Sequence, residues 1–346
     1  MNYWERRAIA NQAAYDRASA KTLRTISRAY NRAIIELCED AEKIIGNFSF
    51  LSGLDRKAAL ELLKRPAPKS MVDEFMRKIS TISDERIRQQ LIAEINAPAY
   101  AARINQLNAI REAAKVAAMR AADVQNEVGQ QHLREMVFEG FNRSMYDIQR
   151  HTGLAFDFVG LSTKQVERIL KYKWSGRHFS DSVWRNASVT ADKLSSALVE
   201  IMMMGKVSRK TFEEMMLSSN EAQFGRYAAN RLLRTETNYV TNMAQAEAYE
   251  SAGIEKYRYM AVLDARTSKL CREKDGKEYY LKDKQVGVNY PPLHPFCRST
   301  TEAVIDGLAR DKMKRWARDP ATGEQMKVPA DISYREWDAG QKKGSQ

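Results

Sequence analysis

The stretch LDARTSKLCREKDGKEYYLKDKQVGVNYPPLHPFCRSTT, residues 263–301, separates two kinds of structure in this chain. It gathers two of the three cysteines, Cys271 and Cys297, with His294, the diproline Pro291-Pro292 and the turn pair Asp275-Gly276. No helical period runs through it. Asp275-Gly276 signals a reversal between two segments, and YRYMAVL before it, at 257–263, alternates as a strand does. Pro291, Pro292 and Pro295 lack backbone donors and fix φ, so an extended, irregular loop is expected around His294. Such a loop needs a staple, and Cys271, His294 and Cys297 are the residues able to supply one.

Three outcomes for that staple stay open. The trio offers good zinc ligands, but a closed structural zinc site takes four, and the residue three before Cys271 is Ser268 rather than cysteine. Asp264, Asp275 or Asp283 could complete a weaker site. A Cys271–Cys297 disulfide is the second outcome, disfavoured in a reducing cytoplasm and available outside the cell. Two buried thiols beside a packed histidine are the third. A structural zinc is thus the one cofactor the residues point to, and none is required.

Outward from this stretch the chain is helical. Leu23, Ile26, Tyr30, Ala33, Leu37, Ala41 and Ile44 recur at threes and fours, which keeps one helix face apolar up to a stop at Gly46. The other face carries Arg17, Lys21, Arg24, Arg28 and Arg32, a basic stripe that suits phosphates or simply solvent. Cys38 lies on the apolar pattern as a small hydrophobe. A short helix is expected over 55–64. A long helical region follows from Met71 to the break at Ala97-Pro98, and an alanine-rich helix from Tyr100 to Val128. Residues 1–140 therefore read as an elongated helical hairpin or bundle, a docking shape without clustered catalytic groups.

Residues 141–305 read as a helical middle followed by a small α+β motif with a β-hairpin and the Cys/His loop. The fold class is mainly α. Trp174, Phe179 and Trp184 are close enough in sequence to form a packing cluster, and His132, His151 and His178 have no partner at ligand spacing. SSNE at 218–221 is a capping box opening a helix that ends at Gly253. On that helix Glu236 interrupts an apolar stripe of Leu232, Tyr239, Met243 and Ala246. A buried carboxylate needs a cation or several donors, with Arg266 and Arg298 as candidates, unless Glu236 lies at the stripe's wet edge. Residues 306–346 form a basic extension with a helix-like piece holding Arg310, Lys312, Lys314, Arg315 and Arg318. Tyr334 and Trp337 are spaced to pack back on the body, and 341–346 should be disordered.

With 346 residues the chain has room for two or three compact units. A charged fraction of 29% with 44% hydrophobic residues excludes a disordered polymer, and no apolar run reaches the ~20 residues of a membrane span. The start, MNYWERR, lacks the apolar segment of a secretory signal, so a cytoplasm is the expected site of synthesis and residence. A net charge of +12 favours a polyanion or an acidic protein as neighbour, or serves solubility alone.

The run RTE at 234–236, GIEKY at 253–257, LDARTS at 263–268 with Cys271, DGK at 275–277, GVN at 287–289 and PPLHPFCRSTT at 291–301 resembles the phage minor head proteins. These form the Mu F-like, head-morphogenesis family. The resemblance spans about residues 170–305, with Trp174-Ser-Gly176 and Trp184 consistent with its upstream part. It implies a low-copy structural protein of the virion head, carried in during procapsid assembly. The portal protein is the implied partner, scaffold or major capsid protein are further candidates, and double-stranded DNA lies nearby. It implies no membrane partner and no catalytic residues. Arg234, Glu236, Asp264, Arg266, Asp275, Gly276 and Arg298 are then motif positions of an internal polar network. Some members carry extra cysteines where this chain has Ser268 and Ser299, which leaves three evident ligands here.

Two other functions compete. A metal-dependent nuclease would use His294 with Asp264 or Asp275 around an open coordination position. A toxin-delivery module would need an appended domain, for which the residues after Thr301 are too few.

Overall fold

The computed structural model describes residues 3–46, 48–96, 104–152, 160–204, 208–305, 314–318, 324–329, 332, 334, 336 and 337. The fold is mainly α, as the periodicity predicts. Nine helices precede the first strand among these residues: α1 (Tyr3–Ile45), α2 (Arg56–Leu62), α3 (Ser70–Ile79), α4 (Glu85–Ile95), α5 (Gln106–Thr152), α6 (Thr163–Lys171), α7 (Phe179–Met203), α8 (Arg209–Ser218) and α9 (Asn220–Ser251). None is long and apolar enough to cross a membrane.

The predicted stripe of α1 is the buried one, with Ile26, Tyr30, Ala33, Leu37, Ala41 and Ile44 all inside. The helix starts at Tyr3, well before Leu23. Residues 5–22 are rich in Ala and Arg, whose helix propensity extends it without a continuous apolar pattern. The single helical region expected from Met71 is in fact two helices. Asp84 caps α4 by accepting from the Ile87 N–H at 3.1 Å, and Asp123 accepts from the Ser83 and Asp84 N–H groups at 2.7 and 3.1 Å. These carboxylates satisfy donors that a helix start leaves unpaired, so the chain turns there. The residues around Pro98 lie outside the described set.

At the start of α9 the Ser219 hydroxyl accepts from the Ala222 N–H at 3.1 Å. At its end Gly253 adopts φ 68, and the Ile254 N–H reaches back to the Tyr249 carbonyl at 2.9 Å. That bond pattern closes the helix and sends the chain into a sheet. Strands β1 (Lys256–Met260), β2 (Glu278–Tyr280) and β3 (Thr300–Ala303) form an antiparallel sheet in the order β2-β1-β3. Alternation along β1 buries Tyr257 and Tyr259.

The described part of the basic piece expected to be helix-like is a strand instead: β4 (Lys314–Arg318) pairs antiparallel with β5 (Gln325–Pro329), while Arg310 and Lys312 lie outside the described set. Its charges mask a short alternation, and five residues gain more from a partner strand than from one turn of helix. Ala317 and Val328 pack with Leu263, Tyr334 and Trp337, so the two aromatics do return to the body. Residues 341–346 lie outside the described set.

The chain packs as two compact units, one of Met1–Lys21, Gln131–His178 and Arg231–Gln346, the other of Thr22–Gln130 and Phe179–Asn230. Neither is contiguous; periodicity locates helices but not their distant partners. The aromatic cluster is divided accordingly. Trp174 belongs to the first unit and stacks on Tyr239, with ring centroids 5.7 Å apart. Phe179 and Trp184 are buried in the second, where the Phe179 ring fills the space a Cβ on Gly129 would need.

Candidate metal centre

The sheet and α9 set the Cys/His loop. After β1, Ser268 caps the short helix α10 (Lys269–Arg272) by accepting from the Cys271 N–H at 3.3 Å, and Cys271 is buried. Asp275 accepts from the Ala261 N–H at 2.8 Å, while Gly276, at φ 77, donates to the Tyr259 carbonyl at 2.9 Å. The turn read from Asp275-Gly276 is thus present, clamped onto the end of β1. On the other side, α9 grips the loop through Thr235, whose hydroxyl accepts from the Phe296 N–H at 3.0 Å, and Asn238, which donates to the Ser299 carbonyl at 3.0 Å. Phe296 is held at φ 58, a left-handed conformation uncommon for a bulky residue.

These anchors bring the three proposed ligands together. Cys271 Sγ lies 3.2 Å from His294 Nε2 and 3.7 Å from Cys297 Sγ, and the three donor atoms all lie within 4.8 Å of one another. Both thiols are free. His294 Nδ1 is 2.8 Å from the Pro295 carbonyl, which can only accept. Nδ1 therefore carries the proton of the neutral ring, and the Nε2 lone pair faces Cys271. Tyr259, fully buried, donates its hydroxyl to Cys271 Sγ at 3.3 Å.

The hydrogen bond from Cys271, outweighing burial, pushes the Cys297 thiol down to about 6. The same bond, aided by burial, pushes Cys271 up to about 12.

The expected polar network is only partly one network. Arg298 forks onto Asp264, and Arg266 stands 3.9 Å from the same carboxylate. Arg234 pairs with Asp16 at 3.0 Å instead. Glu236 is buried, but neither Arg266 nor Arg298 is its partner among the described residues: the Trp174 indole N–H donates to its two oxygens at 3.2 and 3.1 Å. Burial, only partly offset by that bond, raises its carboxyl to about 7. No carboxylate joins the Cys271, His294 and Cys297 cluster among the described residues, so Asp264, Asp275 and Asp283 do not complete it.

A cleft of about 730 Å³ opens beside the cluster, lined by Arg234, Arg266, Ser268, His294, Cys297 and Arg298. Sequence reasoning gave Tyr259, Thr235 and Asn238 no role of their own and placed Trp174 in an aromatic cluster rather than beside Glu236. Tyr259 left a trace through its place on the buried side of a strand, and Thr235 through the RTE run. His132, unassigned from sequence, is buried near Ser19 and Thr237, and burial pushes it down to about 4.

Long helices carrying a small three-stranded sheet and a clamped cysteine–histidine loop define a helical protein with a compact Cys/His motif. Residues 192–302 match the model of the family described as Phage Mu protein F like protein, so this part of the chain is similar to that family. No curated protein and no solved structure matches the chain significantly.

Proposed function

We propose that this protein is a minor head protein that acts at the portal during procapsid assembly and lies against packaged DNA in the virion. The match over residues 192–302 carries the reading. The surface of α1 supports the DNA part: Arg17, Lys21, Arg24, Arg28 and Arg32 are exposed, and none forms an ion pair among the described residues. Cations spaced at threes and fours along a helix meet phosphates without reading bases. The nuclease alternative gains no support, since Asp264 is engaged by Arg298 and Asp275 by the Ala261 N–H just past β1.

Two experiments test the reading. Fluorescence anisotropy with two unrelated duplexes should give equal affinities that fall linearly, on logarithmic axes, with salt. Co-sedimentation with portal rings of the same phage should retain the full-length protein. Sequence-selective binding, or failure to bind portal, contradicts the respective part.

A further inference from the structure

We propose that Cys271, His294 and Cys297 hold a zinc ion through three protein ligands, and that its fourth position opens into the arginine-lined cleft, where it takes water or a small anion.

Two of the three donor separations are near those of a tetrahedral ion, and the third, Cys297 Sγ to His294 Nε2, lies within 4.8 Å and closes on the ion as it binds. Zn–S bonds of about 2.3 Å and Zn–N bonds of about 2.0 Å place two sulfurs roughly 3.8 Å apart, and a sulfur and a nitrogen roughly 3.5 Å apart. The observed separations are 3.7 Å for Cys271–Cys297 and 3.2 Å for Cys271–His294. A disulfide would need its sulfurs at about 2.05 Å. Two thiols and an imidazole, with no carboxylate among the described residues, select zinc over the hard cations magnesium and calcium.

The surroundings are those of a ligand set rather than of idle thiols. The Pro295 carbonyl fixes the His294 tautomer that leaves Nε2 free to coordinate. The Tyr259 hydroxyl points at Cys271 Sγ, and backbone groups of Leu293 and Ser299 hydrogen-bond to Cys297. Each favours the thiolate that a metal requires. Binding would displace both thiol protons to solvent, leaving a centre of zero net charge.

The fourth position is argued from Ser268 and the cleft. The Ser268 hydroxyl is already occupied as the cap of α10, and Ser268, His294 and Cys297 all line the cleft. A ligand entering there meets Arg266, which is 79% exposed, together with Arg234 and Arg298. A neutral metal centre beside arginines accepts an anion without like-charge repulsion.

The test uses the full chain, purified under reducing conditions without chelator. Elemental mass spectrometry should find about one zinc per chain. Cys271→Ser and Cys297→Ser should each lower this at least tenfold, and Cys38→Ser should not. Because loss of a ligand can also unfold the chain, a cobalt titration of the wild-type chain stands beside the variants. Intense visible bands of a tetrahedral thiolate site are expected, shifting when azide is added. A folded, reduced chain that takes up neither zinc nor cobalt overturns the proposal, as does a Cys271–Cys297 disulfide found in the purified protein by mass. Cobalt bands indifferent to azide overturn the open position.

Discussion

Arg298 lays both arms of its guanidinium on Asp264, with Nη1 2.6 Å from Oδ2 and Nη2 2.7 Å from Oδ1. The pair joins the residue after Cys297 to the residue after Leu263, and so ties the Cys/His loop to the cluster of Leu263, Tyr334 and Trp337. Burial alone would raise the Asp264 carboxyl, but the bonds and charge of Arg298, with help from Thr267 and the Arg266 N–H, hold it below its usual value. Its contribution is therefore present above the unfolded carboxylate range and is lost as pH falls through the lowered folded value. Arg298→Gln should cost about 1–3 kcal/mol at neutral pH, the range expected when a buried carboxylate loses its charged partner but keeps other donors. Urea unfolding at pH 7 and pH 3 checks this, and the cost should shrink at the lower pH. Arg298→Lys should recover only part, because lysine has no fork.

Glu236 makes the opposite prediction. Its folded value, raised to about 7 by burial, exceeds that of an unfolded glutamate. The folded state holds this proton more tightly, so the contribution is complete below about pH 4.5 and is lost as pH rises through about 7. Glu236→Gln keeps an acceptor for the Trp174 indole and removes the titration. It should unfold at higher denaturant concentration than wild type at pH 8, with the gap closing toward pH 5.

The second unit carries a buried ion pair in which Lys78 Nζ lies 2.6 Å from both oxygens of Asp40. Lys78→Met strands the carboxylate, with Lys43 at 3.9 Å as a distant substitute, and should cost about 3 kcal/mol. Adding Asp40→Leu should restore most of that loss, since an apolar pair needs no solvation. A double-mutant cycle by chemical denaturation gives the numbers.

Replacing Arg24, Arg28 and Arg32 by glutamine should weaken DNA binding equally for all sequences. The slope of log affinity against log salt should fall by roughly 0.9 for each arginine that meets a phosphate. Equal slopes for variant and wild type would remove α1 from the DNA-facing surface.

Much of this architecture was readable in the residues because helices advertise themselves locally. The spacing of Ile26, Tyr30, Leu37 and Ile44 predicted the buried face of α1, and Asp275-Gly276 the turn after β1. The cluster of Cys271, His294 and Cys297 was also legible, because prolines force an irregular loop to find side-chain anchors. What stayed hidden depends on contacts far apart in sequence. Trp174 reaches Glu236 across 62 positions, and β4 is a strand only because β5 lies beside it. The discontinuous units follow from the same cause.

The measurement that bears most directly on the central claim is quantitative mass spectrometry of purified heads from the phage carrying this gene, with portal subunit as internal standard. The account predicts this chain in the head at a few copies per portal ring. Its absence from heads, while abundant in infected cells, would contradict the assignment as a minor head protein.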